Sequence, residues 1–158
     1  MSDVKPIPDG YEGLTPYLSV KDGEAAIEFY KKAFGATEVM RMPGPGGKGV
    51  GHADLSLFGR MHIMLADEYP DMGHTSPQTL GGSPVLLHIY VEDVDATVEK
   101  AVAAGAKLTR PVEDQFYGDR SGGIEDPFGH KWYFATTKEI VSPEEMEKRA
   151  AEVANKKG

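Results

Sequence analysis

Apolar residues recur along this chain in two rhythms. Between residues 23 and 34 they fall three or four apart, so that Ala26, Ile27, Tyr30, Ala33 and Phe34 share one helical face, and Gly35 supplies the stop. The same rhythm predicts a helix over 94–104, closed by Gly105. Elsewhere the period is two. In 52–58, Ala53, Leu55 and Leu57 oppose His52, Asp54 and Ser56; in 61–66, Met61, Ile63 and Leu65 oppose His62, Met64 and Ala66. These runs predict a hairpin with one buried and one polar face, and matching parity across it asks for a three-residue connection. Further strands are expected at 14–20, 37–42, 84–91, 107–112, 119–125 and 130–137, the fifth of these weakened by Gly122 and Gly123. The run Pro43-Gly44-Pro45-Gly46-Gly47-Lys48-Gly49 reads as a loop.

The remaining segments lack either rhythm. Residues 1–13 read as a polar arm without a core of its own, and 68–83 has turn composition, the best candidate for a linker. In the tail, 138–158, Ser142-Pro143-Glu144-Glu145 combines an N-cap serine, a first-turn proline and an acid three residues on, which predicts a helix to about Asn155. Its Lys/Glu pattern suits a solvated face, with Met146 and Val153 available for docking.

An internal repeat organises these elements. Val20-Lys21-Asp22 followed by Ala25, Ile27, Glu28 and Ala33 aligns with Val91-Glu92-Asp93 followed by Ala96, Val98, Glu99 and Ala104, at an offset of 71 residues. Strand, helix and three more strands are therefore written twice, in 14–67 and 84–137. Each module alone would leave a sheet face uncovered, so the two are expected to pack as a pair.

Composition narrows the chemistry. Seventeen basic against twenty-five acidic side chains give a formal charge of −8, which argues against nucleic acid as a partner. No stretch approaches the ~18 apolar residues of a membrane span, and the first ten residues lack a secretory apolar core, so a soluble cytoplasmic protein is expected. There is no cysteine, which excludes disulfides, thiolate metal sites and a cysteine nucleophile. Five histidines and the carboxylates remain.

The element order, the V-x-D before an amphipathic helix with A-I-E-F-Y-K-K-A-F-G (Ala26 to Gly35), and E-D-P-F-G-H-K-W (Glu125 to Trp132) resemble the vicinal oxygen chelate superfamily of glyoxalase I, bleomycin-resistance proteins and extradiol dioxygenases. With F-Y-G-D-R-S-G (Phe116 to Gly122) and the helical tail, the chain is most similar to the PhnB-like branch. The resemblance implies an α+β fold: two βαβββ modules forming a cup-shaped mixed sheet, helices on the convex side, often as a homodimer. In catalytic branches a divalent metal is held by His or Glu from the first and last strand of each module. Those positions fall here on Thr15, Met64, Leu86 and Tyr133, none of which offers an imidazole or carboxylate. No metal or other cofactor is therefore expected. A displaced site using His62, His88, His52 and Asp54 is the competing arrangement.

Pleat parity points Thr15, Tyr17, Ser19, His52, Asp54, Ser56, His62, Met64, His88, Tyr90, Lys131 and Tyr133 into the cup. Aromatic planes with a few donors and acceptors suit a small organic ligand, with stacking supplied by Tyr17, Tyr90 and Tyr133. The expected function is binding or sequestration of such a molecule. The alternatives are a lyase, isomerase or dioxygenase-type enzyme with a non-standard metal or an acid–base pair such as His52 with Asp54, and a non-catalytic dimeric scaffold. Asp119 to Gly123 offers Arg120 and two glycines to a phosphate, but precedes no helix and lacks a Walker lysine. His74 and His130 are expected in solvated loops.

Overall fold

The computed structural model describes residues 3–158, so the first two residues of the expected arm lie outside the described part. The order of elements is β1 (Tyr17–Val20), α1 (Gly23–Phe34), β2 (Thr37–Pro43), β3 (Val50–Leu57), β4 (Met61–Asp67), α2 (Pro77–Leu80), β5 (Leu86–Tyr90), α3 (Val94–Ala103), β6 (Lys107–Asp114), β7 (Asp119–Glu125), β8 (Lys131–Thr137) and α4 (Pro143–Lys156). The repeated strand–helix–three-strand unit is thus present twice, in an α+β architecture with a C-terminal helix. The chain divides into two compact units. One comprises Met1–Ser83 with Pro127–Gly129; the other comprises Pro84–Asp126 with His130–Gly158.

In the first unit the sheet order is β1-β4-β3-β2, with β1 parallel to β4 and the remaining pairs antiparallel. Leu18, Val20, Ala53, Leu55, Leu57, Ile63 and Leu65 fill its apolar face, and α1 packs across β3 and β4. The β3–β4 connection is Phe58-Gly59-Arg60, three residues, because Leu57 pairs with Met61 and keeps both apolar sets on one side. Phe29 and Tyr30 of α1 bring their rings 6.1 and 6.3 Å from Phe128, which joins this unit from the β7–β8 turn.

In the second unit the order is β5-β8-β7-β6, again with one parallel pair, β5 with β8. Trp132, Phe134, Ile124 and Ile89 form its buried face, and α3 packs on β6, β7 and β8. The aspartate of the repeated V-x-D has the same task in both units. Asp22 accepts from Ala25 N–H and Asp93 from Ala96 N–H, each at 3.0 Å, as the N-caps of α1 and α3.

Three expectations need correction. β1 starts at Tyr17 rather than Leu14, since Pro16 has no N–H to donate to the ladder and Leu14 is almost fully exposed, although the Pro16 carbonyl still accepts from Met64 N–H at 2.9 Å. β5 likewise shortens to Leu86–Tyr90. The segment 68–83 is not a bare linker: Glu68 accepts from Ser76 N–H and from the Thr79 hydroxyl, both at 2.8 Å, and Ser76 caps the short α2. β7, by contrast, forms over 119–125 as expected, and its Gly122 lies against Val112, whose Cγ2 would stand 2.7 Å from any added Cβ.

Candidate functional site

Cross-strand pairing fixes which side chains share the uncovered face of the first sheet. Tyr17 pairs with Met64, Met64 with Asp54, Ser56 with His62, Ser19 with Ala66, and His52 with Met42. Tyr17, Ser19, His52, Asp54, Ser56, His62 and Met64 therefore lie on one face, while Thr15 precedes β1 and is half-buried. The acid–base pair of His52 with Asp54, one of the alternatives, is not formed. Asp54 instead accepts from His62 Nδ1 across the hairpin at 2.8 Å and from the Tyr11 hydroxyl, while His52 Nδ1 meets the Tyr17 hydroxyl at 2.9 Å. Residues two apart on one strand are separated by a full pleat, whereas a diagonal neighbour on the next strand lies within reach.

Tyr11 belongs to the arm, which therefore does engage the sheet. Its ring lies 4.2 Å, centroid to centroid, from that of His62. Its hydrogen bond to the buried Asp54 carboxylate raises the phenol above its ordinary range, with desolvation adding in the same direction. Asp54 thus holds His62 by Nδ1, the contact by which a carboxylate orients an imidazole, with its other oxygen taken by Tyr11. The signal for Tyr11 in the sequence was slight: one aromatic in a polar segment.

Beside this cluster is a hollow of about 530 Å³ lined by Tyr17, Ser19, Met42, Tyr69, Met72 and His74, among others. Tyr17 and Ser19 were expected there; Met42, Tyr69, Met72 and His74 were missed. They are assembled by tertiary structure. The 3-10 turn Pro70–Met72 folds back so that Tyr69 and His74 form a β-bridge, and Gly44 leaves room for the Tyr69 hydroxyl, which would lie 2.9 Å from a Cβ there. Burial raises the Tyr17 phenol above its usual value.

On the uncovered face of the second sheet, Leu86 pairs with Lys131, His88 with Tyr133 and Tyr90 with Ala135. His88, Tyr90, Lys131 and Tyr133 accordingly share that face. Tyr90 donates to Asp119 at 2.9 Å, which raises its phenol, and Tyr133 shares a 2.8 Å hydrogen bond with Ser121. Tyr133 is only 8% exposed, so it offers no free stacking plane. Arg120 is not available to a phosphate: it is paired with Asp95 at 2.7 and 2.9 Å and with Asp114 at 3.1 Å.

The donor chemistry at the four family ligand positions does not fit a divalent cation. A hydroxyl at Thr15, a thioether at Met64, an alkyl chain at Leu86 and a phenol at Tyr133 supply neither imidazole nor carboxylate. Among the described residues no group of three His, Cys, Asp or Glu side chains converges as a metal site. Of the displaced candidates, Asp54 with His62 and His52 with Tyr17 are committed to each other.

Fold and site together define an α+β protein of duplicated βαβββ units with polar, aromatic sheet faces. Residues 14–134 match the Glyoxalase/Bleomycin resistance protein/Dioxygenase superfamily, and the chain belongs to it. An uncharacterized protein of Mycobacterium bovis is 44% identical over 137 residues, which cover 85% of this chain and 89% of that one. The crystal structure of TioX from Micromonospora sp. ML1 is similar at 27% identity and a TM-score of 0.61, over 79% of this chain and 99% of TioX. A PhnB protein from Bacillus cereus shares the fold, at 22% identity and a TM-score of 0.60, over 80% of this chain and all of that one. Among the described residues no helix is long and apolar enough to cross a membrane.

Proposed function

We propose that this protein binds a small, largely apolar organic molecule in the hollow against the first sheet, without a divalent metal or other cofactor, as a cytoplasmic homodimer. The observation that carries the reading is the exposure of large apolar side chains around one concavity: Tyr17 is 48% exposed, Met42 49% and Met72 75%. Such side chains gain about 25 cal/mol for each Å² that a ligand covers. The volume falls within the range of roughly 300 to 1,000 Å³ typical of small-molecule sites. Flexible thioethers adapt to an irregular ligand, and the Tyr17 ring offers a flat wall. The metal-ligand positions, occupied by groups that do not bind divalent cations, favour binding over the metal-dependent chemistry of the catalytic branches.

Titration with the neutral fluorescent probe N-phenyl-1-naphthylamine tests the reading. Saturable enhancement is expected for the natural protein, with affinity reduced about tenfold in Tyr17→Ala and Met42→Asp at unchanged melting temperature. Non-saturable enhancement, or variants that bind equally well, would overturn it. Sedimentation equilibrium tests the assembly: a mass of two chains is expected, and a single-chain mass refutes the homodimer.

A further inference from the structure

The second sheet carries a feature that the hollow in the first unit does not explain. Strands β5, β8, β7 and β6 place His88, Tyr133, Gly123 and Arg110 in one continuous cross-strand row. The third member has no side chain. A Cβ at Gly123 would stand 3.0 Å from Thr109 Oγ1 and 3.2 Å from Tyr133 Cδ2, tighter than ordinary contact, and in ordinary contact with Arg110 Cβ at 3.5 Å. Across that gap Arg110 reaches over β7, its guanidinium carbon 5.9 Å from the centre of the Tyr133 ring.

Arg110 differs from its neighbours in charge pairing. Arg120 is held by Asp95 and Asp114, and Arg149 by Glu139 and Glu145. Arg110 is exposed and, among the described residues, has no carboxylate within ion-pair distance. A guanidinium presents five donors in a planar fork, and Tyr133 occupies only part of it. Burial pushes the Tyr133 phenol up, but hydrogen bonds from Ser121, Arg110 and Tyr117 and the nearby Arg110 charge outweigh it and leave the phenol below its usual value. The adjacent row carries Lys131, Glu125 and Lys107, a net positive flank in a chain of formal charge −8.

Beside the guanidinium stand two accessible rings. His88 is exposed and its ring centroid lies 5.0 Å from that of the half-exposed Tyr90 and 5.4 Å from that of Tyr133. We propose that the Arg110–Gly123–Tyr133–His88 row is a binding site for a planar aromatic carboxylate, whose carboxylate takes the free edge of the Arg110 fork and whose ring lies against His88 and Tyr90. One unpaired guanidinium matches one negative charge. A polyanion such as a nucleotide triphosphate would meet too few donors here and the repulsion of the acidic chain. The site lies within the second unit and stands or falls independently of the hollow in the first.

Benzoate and its neutral isostere benzamide test the site in the full chain, by calorimetry and by NMR signals of Arg110 Nε–H and the Tyr133 and His88 rings. Benzoate is expected to shift all three sets and to bind about tenfold more tightly than benzamide. Arg110→Gln should remove that preference while leaving benzamide and the melting temperature unchanged. His88→Ala, also at an exposed position, should weaken both probes alike. Equal binding of benzoate and benzamide, an unaltered benzoate affinity in Arg110→Gln, or no shift at Tyr133 and His88 at saturating benzoate would overturn the proposal.

Discussion

Asp54 and His62, one on each strand of the β3–β4 hairpin, meet at 2.8 Å although Asp54 pairs in register with Met64. The contact is diagonal, and it leaves the second carboxylate oxygen for Tyr11. A residue of the N-terminal arm thus completes a buried polar cluster that would otherwise hold an unsatisfied acceptor.

Tyr11→Phe removes that donor and keeps the ring against His62. Because the bond is to a charged group but at a partly solvated site, a loss of about 1 to 2 kcal/mol is expected. Denaturant unfolding measures the loss, and hydrogen exchange at residues 8–12 should rise with it. Unchanged stability together with unchanged protection would show that the arm is held by something else.

Alkaline pH should act through the same phenol. Its folded-state value lies above the ordinary value near 10, so above that pH the native state retains a proton that the unfolded chain has lost. Stability contributed by this group is therefore complete below pH of about 10 and declines as pH rises through the raised value. Comparing the natural protein with Tyr11→Phe between neutral pH and pH of about 11 isolates it: the stability difference should shrink as pH rises. A difference that is constant or grows contradicts the assigned direction.

The Glu125 to Trp132 motif is explained by Asp126. Its carboxylate accepts from His130 N–H at 3.0 Å and from Trp132 Nε1–H at 2.9 Å, both oxygens being used. Asp126→Ala leaves a fully buried indole donor unpaired, and a cost of about 2 to 3 kcal/mol is expected in thermal or chemical unfolding. A variant as stable as the natural protein would mean that the turn closes without this carboxylate.

Gly122 makes a second demand on β7. A methyl there would meet Val112 Cγ2 at 2.7 Å and the Arg110 carbonyl oxygen at 3.3 Å, so the β6 backbone has to move. Gly122→Ala should destabilise by about 1 to 3 kcal/mol, and pairing with Val112→Ala should recover part of the loss. Additive losses in the double variant would place the strain elsewhere.

The C-terminal helix is tied to its unit through Arg149, which donates to both oxygens of Glu139 at 2.9 Å, to Glu145 at 3.0 Å and to the Phe116 carbonyl at 3.3 Å. No residue of α4 is buried, and this network ties the helix to Phe116 and Glu139. Arg149→Ala should speed proteolysis within 143–156 several-fold while global stability changes by less than about 1 kcal/mol, as expected for exposed ion pairs. Protection equal to that of the natural chain would assign the anchoring to another contact.

Much of the architecture was legible because it is written in local periodicity. Helix α1 spans the residues that the spacing from Gly23 to Phe34 predicts, and β7 coincides with 119–125 despite its glycines. The three-residue β3–β4 connection followed from parity alone, since a one-residue slip would have turned Leu55 and Leu57 to the polar side. Faces were equally readable: His88 and Tyr133 pair, as do Tyr17 and Met64. Helix α2 and the Tyr69–His74 bridge were not, because Pro77–Leu80 is a single turn too short to show a period.

By itself the sequence determined the duplication, the strand and helix periods and the buried faces, because each depends on residue type and spacing along one strand or helix; which positions correspond to metal ligands came from the family resemblance. Only the tertiary structure decided the partners: Asp54 with His62 and Tyr11 rather than His52, Arg120 with Asp95, and Arg110 left over Tyr133 across the gap at Gly123. Those contacts join residues distant in the chain or diagonal across strands. Their formation depends on register, bulges and loop closure, which bring side chains within a few ångströms through backbone geometry that no local pattern encodes.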